Sequence, residues 1–395
     1  MGHPCDIFRA SEAAILALAI RISCESLMSG TGGKSVKIDR RSMLAIGAAF
    51  FAVGKANASP AALKVPTIDG LELTVLIDST TALFGTPVDR PDFKYVPPPI
   101  TRDYHRAFAG QWGYSILARS NVGSSDRRIL IDFGYTADAL LNNMALLGIT
   151  PGSIDATVLS HGHYDHFGGL DGLLETGKLR RGTPLFVGAE EVFCARVRGT
   201  DPNGPPFGEI DRPALTAAGV DVHVSAEPAV VAGQGFTTGR IPLVSPERPR
   251  VPSGMLPGQG CDRVLLDPAK QDLPFIVDDA VHELGTAFNV RDRGLVVIGS
   301  CSHRGIINTV RRAQAVSGIN KIHAIVGGFH LVSPQTREQA LETVSQMQAL
   351  NPDYVIPGHC TGETFVAAAQ AAMPDRVIRS IVGARYYFGT TVSII

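Results

Sequence analysis

Apolar and polar residues alternate with the two-residue period of a strand over Leu71–Ile77, and short apolar runs recur at Tyr114–Ala118 and Arg128–Ile131. The last run ends in Asp132-Phe133-Gly134. Thr136–Leu147 carries apolar residues at helical spacing and stops at Gly148, a plausible C-cap. Ile154–Ser160 is a short apolar run that leads straight into a histidine cluster. Phe275–Asp278, Leu295–Ile298, Ile322–Val326 and Tyr354–Ile356 have the composition of short buried strands, and helical patterns at Gly305–Ser317 and Pro334–Leu350 separate the later ones. Such alternation predicts a layered α/β architecture, in which loops leaving strand ends collect functional groups on a rigid support. The Pro- and Gly-rich stretches Pro202–Gly208 and Pro246–Gly260 read as surface loops or lids.

The first 58 residues have a different character. Arg40-Arg41 precede an apolar run from Met43 to Val53, and Ala56-Asn57-Ala58 follows as a small-residue cleavage site. This resembles a twin-arginine export signal, so residues 1–58 are expected to be a leader and 59–395 one catalytic domain of an exported, periplasmic protein. The apolar run is shorter than the roughly 20 residues that cross a bilayer, and no stable membrane span is expected in the mature chain. Beyond the leader four cysteines remain, Cys194, Cys261, Cys301 and Cys360; they allow three pairings, and the count selects none. With 36 Lys and Arg against 37 Asp and Glu, no large field favours nucleic acid or an anionic surface, which leaves a small-molecule substrate as the expected partner.

The chemistry concentrates in Ser160-His161-Gly162-His163-Tyr164-Asp165-His166, three histidines and an aspartate within six positions. His161 and His163 can turn their imidazoles to one ion, and Asp165 and His166, just beyond, can face a second. Imidazole and carboxylate together suit zinc, one or two ions, with Mn or Fe also compatible. Here the chain resembles the metallo-β-lactamase superfamily, whose hallmark is an H-x-H-x-D-H motif after a buried strand, and the resemblance implies an αββα sandwich. Ile131-Asp132-Phe133-Gly134 is similar to the turn in which an aspartate buttresses a ligand histidine, which gives Asp132 that supporting role. Gly299–Asn308, Gly327–Leu331 and Pro357–Gly362 look like the blocks of one branch, which contains archaeal dihydropterin synthases that join a pterin to a ribofuranosyl-aminobenzene phosphate.

Carried over residue by residue, the resemblance implies His161, His163, Asp165, His166 and His359 as ligands. The superfamily's further histidine and bridging aspartate have no counterpart around Thr237–Arg240 or after Leu295–Ile298. His303 is the natural replacement as third ligand of the first ion, and His330 stands as either a ligand or a substrate contact. Cys301 and Cys360 flank candidate ligands and could bind metal, but a packing role is the favoured reading. His105, His223, His282 and His323 lie outside these blocks and read as exposed or hydrogen-bonded histidines. Asp278-Asp279 resembles a motif of the branch, and Trp112 stands where relatives commonly have a histidine. The implied activity is hydrolysis of an ester, lactone, amide or phosphoester by metal-activated water, with Asp165 orienting that water. The alternatives are a dihydropterin synthase-like transfer that displaces pyrophosphate, and a non-catalytic metal-binding protein.

Overall fold

The structure, a computed structural model, describes residues 63–249 and 251–389; the expected leader, 1–58, lies outside the described residues. Two sheets face each other. One has nine strands, running in the order Asp221–Val224, Pro184–Val187, Ala156–Val158, Ser125–Ile131, Ser115–Val122, Gly70–Ile77, Arg385–Gly389, Phe93–Val96 and Val88–Arg90. The other runs Val230–Val231, Gly235–Thr237, Thr286–Val290, Gly294–Gly299, Ile322–Gly327 and Tyr354–Pro357, with Thr67–Ile68 added beside Thr286–Val290. A separate three-stranded sheet joins Ala195–Arg198, Ser253–Leu256 and Ile276–Val277.

Side-chain alternation explains the layering. Leu71, Leu73 and Val75 point inward to meet Val296 and Ile298 of the facing sheet, and Phe288, Tyr386 and Phe388 fill the same layer. The intervening Leu295 and Val297 point outward, to Ile306, Ile307 and Val310 of the helix Ile306–Ser317 and to Val344 and Met347 of Arg337–Leu350. On the opposite face Leu130, Phe133 and Leu185 meet Leu140 and Met144 of the helix Ala137–Leu146. The order helix, sheet, sheet, helix is the expected αββα sandwich. Strands buried on both faces become the continuous apolar runs seen in the sequence.

Most elements lie where the pattern predicts them, within two or three residues at each end. Three differences have physical causes. The Pro246–Gly260 stretch is only partly a loop: Ser253–Leu256 pairs antiparallel with Ala195–Arg198 and Ser253, Gly254 and Met255 are buried. Phe275–Asp278 yields only the two-residue strand Ile276–Val277 of that same small sheet, with Val277 exposed. The last strand, Arg385–Gly389, inserts between Gly70–Ile77 and Phe93–Val96, a long-range pairing with no local signature.

Strand direction then places the chemistry. Ser125–Ile131, Ala156–Val158 and Pro184–Val187 run parallel in one sheet, and Gly294–Gly299, Ile322–Gly327 and Tyr354–Pro357 run parallel in the other. The histidine loop leaves the C-terminal end of Ala156–Val158, while Cys301 and His303, His330, and His359 and Cys360 follow the ends of the other three. Catalytic groups at carboxyl ends of parallel strands are the usual consequence of this arrangement.

Candidate metal centre

Asp132 sits at the end of Ser125–Ile131 with φ 57°, a left-handed conformation that aims its carboxylate into the buried turn before the histidine loop. Its Oδ1 accepts the Ser160 backbone N–H at 2.7 Å, and its Oδ2 accepts the Ser160 hydroxyl and His166 Nδ1, each also at 2.7 Å. These contacts fix tautomers. His166 carries its proton on Nδ1, leaving the Nε2 lone pair free. Ser160, having donated to Asp132, offers its oxygen to His161 Nδ1 at 2.9 Å, so the His161 lone pair is also on Nε2. His163 is turned the other way, its Nε2 against Ser253 Oγ at 3.0 Å and Asp278 Oδ2 at 3.3 Å, which leaves Nδ1 as the acceptor nitrogen. His161 Nε2 and His163 Nδ1 then face each other 3.1 Å apart. Two lone pairs at that distance repel, and a cation between them reverses the sign.

Behind His163 lies a buried ionic network. Arg196 is 2% exposed, and its Nε donates to Asp278 Oδ2 at 3.2 Å. Its other nitrogens donate to the carbonyls of Glu191, Val192 and Cys194 and to His282 Nε2, at 2.9 to 3.1 Å. All of the guanidinium is satisfied, the condition for a buried charge to be tolerated. The motif glycine Gly162 is required here, because a Cβ would lie 2.4 Å from Val192 O and 2.5 Å from Arg196 Nη1. A disulfide between Cys194 and Cys261 closes the cradle, resolving the pairing that the sequence left open. His282, expected to be exposed or hydrogen-bonded, is fully buried within this network, its Nε2 accepting from Arg196 and its Nδ1 unpartnered among the described residues. His323 is a satisfied core histidine against Asp353, His223 pairs with Asp221 at the surface, and His105 is exposed.

From the facing sheet come the remaining donors. Glu283 accepts the backbone N–H of both His303 and Arg304 at 2.7 Å, pinning the turn that carries His303; burial pushes its carboxyl up to about 7. The His303 ring centroid lies 4.8 Å from His161 and 4.7 Å from His163, and the donor atoms of these three histidines lie within 4.8 Å of one another. Asp165, His166 and His359 form a second such group, with Asp165 Oδ2 3.7 Å from His166 Nε2 and 3.4 Å from His359 Nε2. Cys301 enters at the junction, its sulfur within the same reach of His161 and His166. The packing role read for Cys301 therefore understates its position, since it follows the strand where the aspartate was missed. His330 stacks against His303 at 4.1 Å between ring centroids.

Electrostatics favour the form of these side chains that binds cations. Burial, reinforced by the neighbouring imidazoles, drives His161 and His303 well below the ordinary histidine range. Burial lowers His163 as well, against the raising effect of Asp278. Burial opposes charge on Asp165, but His166 and His359 outweigh it and hold the carboxyl below its usual range. Neutral His161, His163 and His303 and an ionised Asp165 are in the protonation states of ligands. Burial opposes charge on His359, but Cys360 and Asp165 outweigh it and hold its imidazole well above the ordinary histidine range, so in the metal-free protein it pairs with Asp165 as a cation. Moreover, His166 Nε2, both nitrogens of His303 and of His359, and His330 Nε2 are buried without a hydrogen-bond partner among the described residues. Each such group costs about 1–3 kcal/mol left unsatisfied, so their convergence in one place fits a bound metal. A cavity of about 140 Å³ opens onto these donors, rimmed by Trp112, Phe207, Pro252 and Val332.

Thus the structure assembles His161, His163 and His303 in one group and Asp165, His166 and His359 in another, with Asp132 behind them and His330 at the margin. Sequence reading noticed Asp278 but not Arg196, Ser253 or Glu283. None carries a local signal, because each earns its place through contacts more than 19 residues away.

The sequence pattern of the Metallo-beta-lactamase superfamily matches residues 113–251, which include the histidine loop and its Arg196 support. The chain is 30% identical over 262 residues to a 7,8-dihydropterin-6-methyl-4-(β-D-ribofuranosyl)-aminobenzene-5′-phosphate synthase of Methanocaldococcus jannaschii, covering 66% of this chain and 84% of that one. An uncharacterised protein of the same archaeon is 26% identical over 279 residues, covering 71% and 94%. Among solved structures, that of a metal-dependent hydrolase of the β-lactamase superfamily superposes with a TM-score of 0.58 at 21% identity, over 80% of this chain and 98% of that one. A fold of this layering, a histidine loop at a parallel strand end and a relative of this extent agree, and the chain belongs to the metallo-β-lactamase superfamily.

Proposed function

We propose that the protein is a metal-dependent hydrolase of a small ester, lactone, amide or phosphoester, with zinc at His161, His163 and His303 and at Asp165, His166 and His359. The observation that carries this reading is the convergence of two groups of buried imidazole nitrogens, one of them around the ionised Asp165, open to a cavity of small-molecule size. When bound, the metal supplies Lewis acidity and a water of lowered pKa. The chain's residues do the rest. Asp132, Ser160 and Asp278 hold the imidazoles in the binding tautomer, Asp165 accepts a hydrogen bond from the attacking water, and Trp112 and Phe207 narrow the entrance.

A second reading, a transferase displacing pyrophosphate from a pterin substrate, is favoured by the likeness to the archaeal synthase. Labelled water separates the two. In H₂¹⁸O, hydrolysis places heavy oxygen in the product of whichever substrate a panel of esters, lactones, β-lactams and phosphodiesters reveals. Turnover that requires an amine or aromatic acceptor, with no label at the new bond, overturns the hydrolase reading. Metal analysis of the purified protein tests zinc directly, and protein that turns over with no metal bound refutes both readings.

We further propose that the protein is exported from the cytoplasm. Arg40-Arg41 with Ala56-Asn57-Ala58 supports export, and so does the Cys194–Cys261 disulfide, a bond that persists in oxidising compartments. Mass spectrometry of the native protein is expected to find a mature chain beginning at Ser59; an unprocessed chain recovered from the cytoplasm refutes export.

A further inference from the structure

The three adjacent parallel strands of the smaller main sheet each release a soft donor beyond its end. In the ladder, Gly299 pairs with Gly327 and Gly327 with Pro357. Counting from that aligned row, Cys301 lies two residues on, and His330 and Cys360 three residues on. The sheet therefore brings together side chains far apart in sequence. Cys301 Sγ lies 3.2 Å from Cys360 Sγ and 3.4 Å from His330 Nδ1, and the three donor atoms lie within 4.8 Å of one another. All three residues are buried, and the sulfurs are not bonded to each other.

We propose that Cys301, Cys360 and His330 form a thiolate-rich site for one thiophilic divalent cation, zinc, beside the two histidine–aspartate groups and sharing Cys301 with them. The geometry is that of a ligand face. A tetrahedral zinc with bonds of about 2.3 Å to sulfur and 2.0 Å to nitrogen has sulfur–sulfur edges of about 3.8 Å and sulfur–nitrogen edges of about 3.5 Å. The observed separations reach these by an opening of about 0.6 Å between the sulfurs and about 0.1 Å between sulfur and nitrogen. The strand ends approach closely here: a Cβ on Gly328 would lie 2.5 Å from Ser300 O and 2.9 Å from Cys360 Sγ, so a glycine is required where the three segments meet. His330 holds a left-handed φ of 45°, a conformation that costs energy in a residue of this type, and its Nδ1 is the nitrogen turned to the Cys301 sulfur. Soft sulfur donors favour zinc over Mn or Fe, a narrower choice than the harder Asp165 group makes.

The site stands apart from the hydrolase reading, and so does its test. The full-length protein, with the Cys194–Cys261 bridge intact and stripped of metal, is titrated with Co²⁺ without oxygen, and both the metal-to-protein ratio and the thiolate charge-transfer absorption are recorded. The expected result is one equivalent of metal beyond those held by the histidine–aspartate groups. That equivalent, with most of the charge-transfer band, is lost in Cys360→Ser and in His330→Ala, while the remaining equivalents stay. ¹¹³Cd NMR of the unmodified protein provides a second measurement that needs no variant, with one resonance expected in the range of an ion carrying two sulfur ligands. Three results overturn the proposal: Cys360→Ser binding metal with the stoichiometry and spectrum of the parent, no two-sulfur cadmium resonance, or isolated protein whose Cys301 and Cys360 are disulfide-linked. Loss of the equivalents bound by His161→Ala and Asp165→Ala, by contrast, bears on the hydrolase reading alone.

Discussion

Asp132→Asn isolates the tautomer control of the centre. Asparagine tolerates the φ of 57° at this position, so the backbone is preserved and only the carboxylate changes. The side-chain carbonyl can still accept from the Ser160 N–H, but an NH₂ group replaces the oxygen that receives the Ser160 hydroxyl and His166 Nδ1. That NH₂ cannot accept a proton from either. His166 must shift its proton to Nε2, the nitrogen aimed at Asp165, and the displaced Ser160 hydroxyl turns to donate to His161 Nδ1, shifting that proton to Nε2 as well. Both lone pairs needed for an ion are lost at once. Two hydrogen bonds to a buried charge, partly recovered by the new tautomers, give a loss of about 2–4 kcal/mol in the stability of the metal-free protein. Metal affinity is expected to fall by about 10- to 100-fold, as for other supporting partners of ligand histidines. Urea melts of stripped protein read the first quantity and competition with a chromophoric chelator the second. Asp126→Asn, on the same strand and paired with Arg119 near the surface, is the control and should move stability by less than about 1 kcal/mol. Asp132→Asn protein that binds zinc as tightly as the parent would refute the tautomer argument.

His303→Ala should remove the ion shared with His161 and His163 and leave that of Asp165, His166 and His359, which metal analysis reads as a partial loss; undiminished content refutes the grouping. Arg196→Met leaves Asp278 buried without its countercharge and should cost about 3–5 kcal/mol in a thermal or urea melt. Cys194→Ser opens a bridge spanning 67 residues, for which chain entropy predicts a loss of about 4 kcal/mol, and reduction of the parent should reproduce it. Glu247 is half-buried at the start of the helix Ile306–Ser317, where it accepts from Ile307 N and Thr343 Oγ1, and desolvation of its carboxyl raises its pKa above 4.5. Since the folded value exceeds the unfolded one, its contribution is fully present below about 4.5 and is lost as the pH rises through the folded value. Relative to Glu247→Gln, the parent should therefore lose stability as the pH rises above the ordinary glutamate value; parallel pH profiles would show that the carboxyl does not titrate differently on folding.

What was legible in the sequence is what local pattern encodes. The histidine loop declares itself because its donors are contiguous and follow an apolar strand, and Asp132 because it ends another. The inner strands declare themselves because they are buried on both faces. The supports of the centre are a different case. Arg196 reads as one more arginine until the fold wraps the carbonyls of Glu191, Val192 and Cys194 around it, and Ser253 sits in a stretch whose prolines and glycines conceal a buried strand. Cys301 and Cys360 read as small core residues because nothing in the sequence says that their strands are neighbours. That fact resides in the parallel ladder between Gly294–Gly299, Ile322–Gly327 and Tyr354–Pro357.

The cradle around Arg196 turns a remote covalent bond into part of the maturation of the centre. The Cys194 carbonyl holds Arg196, Arg196 holds Asp278, and Asp278 holds the ring of His163. Closing the Cys194–Cys261 bridge thus narrows the positions open to an imidazole that neither sulfur touches. Oxidation and metal uptake become thermodynamically linked, each favouring the other by the same factor, so that a reducing environment weakens the hold on the ion and the bound ion protects the bridge.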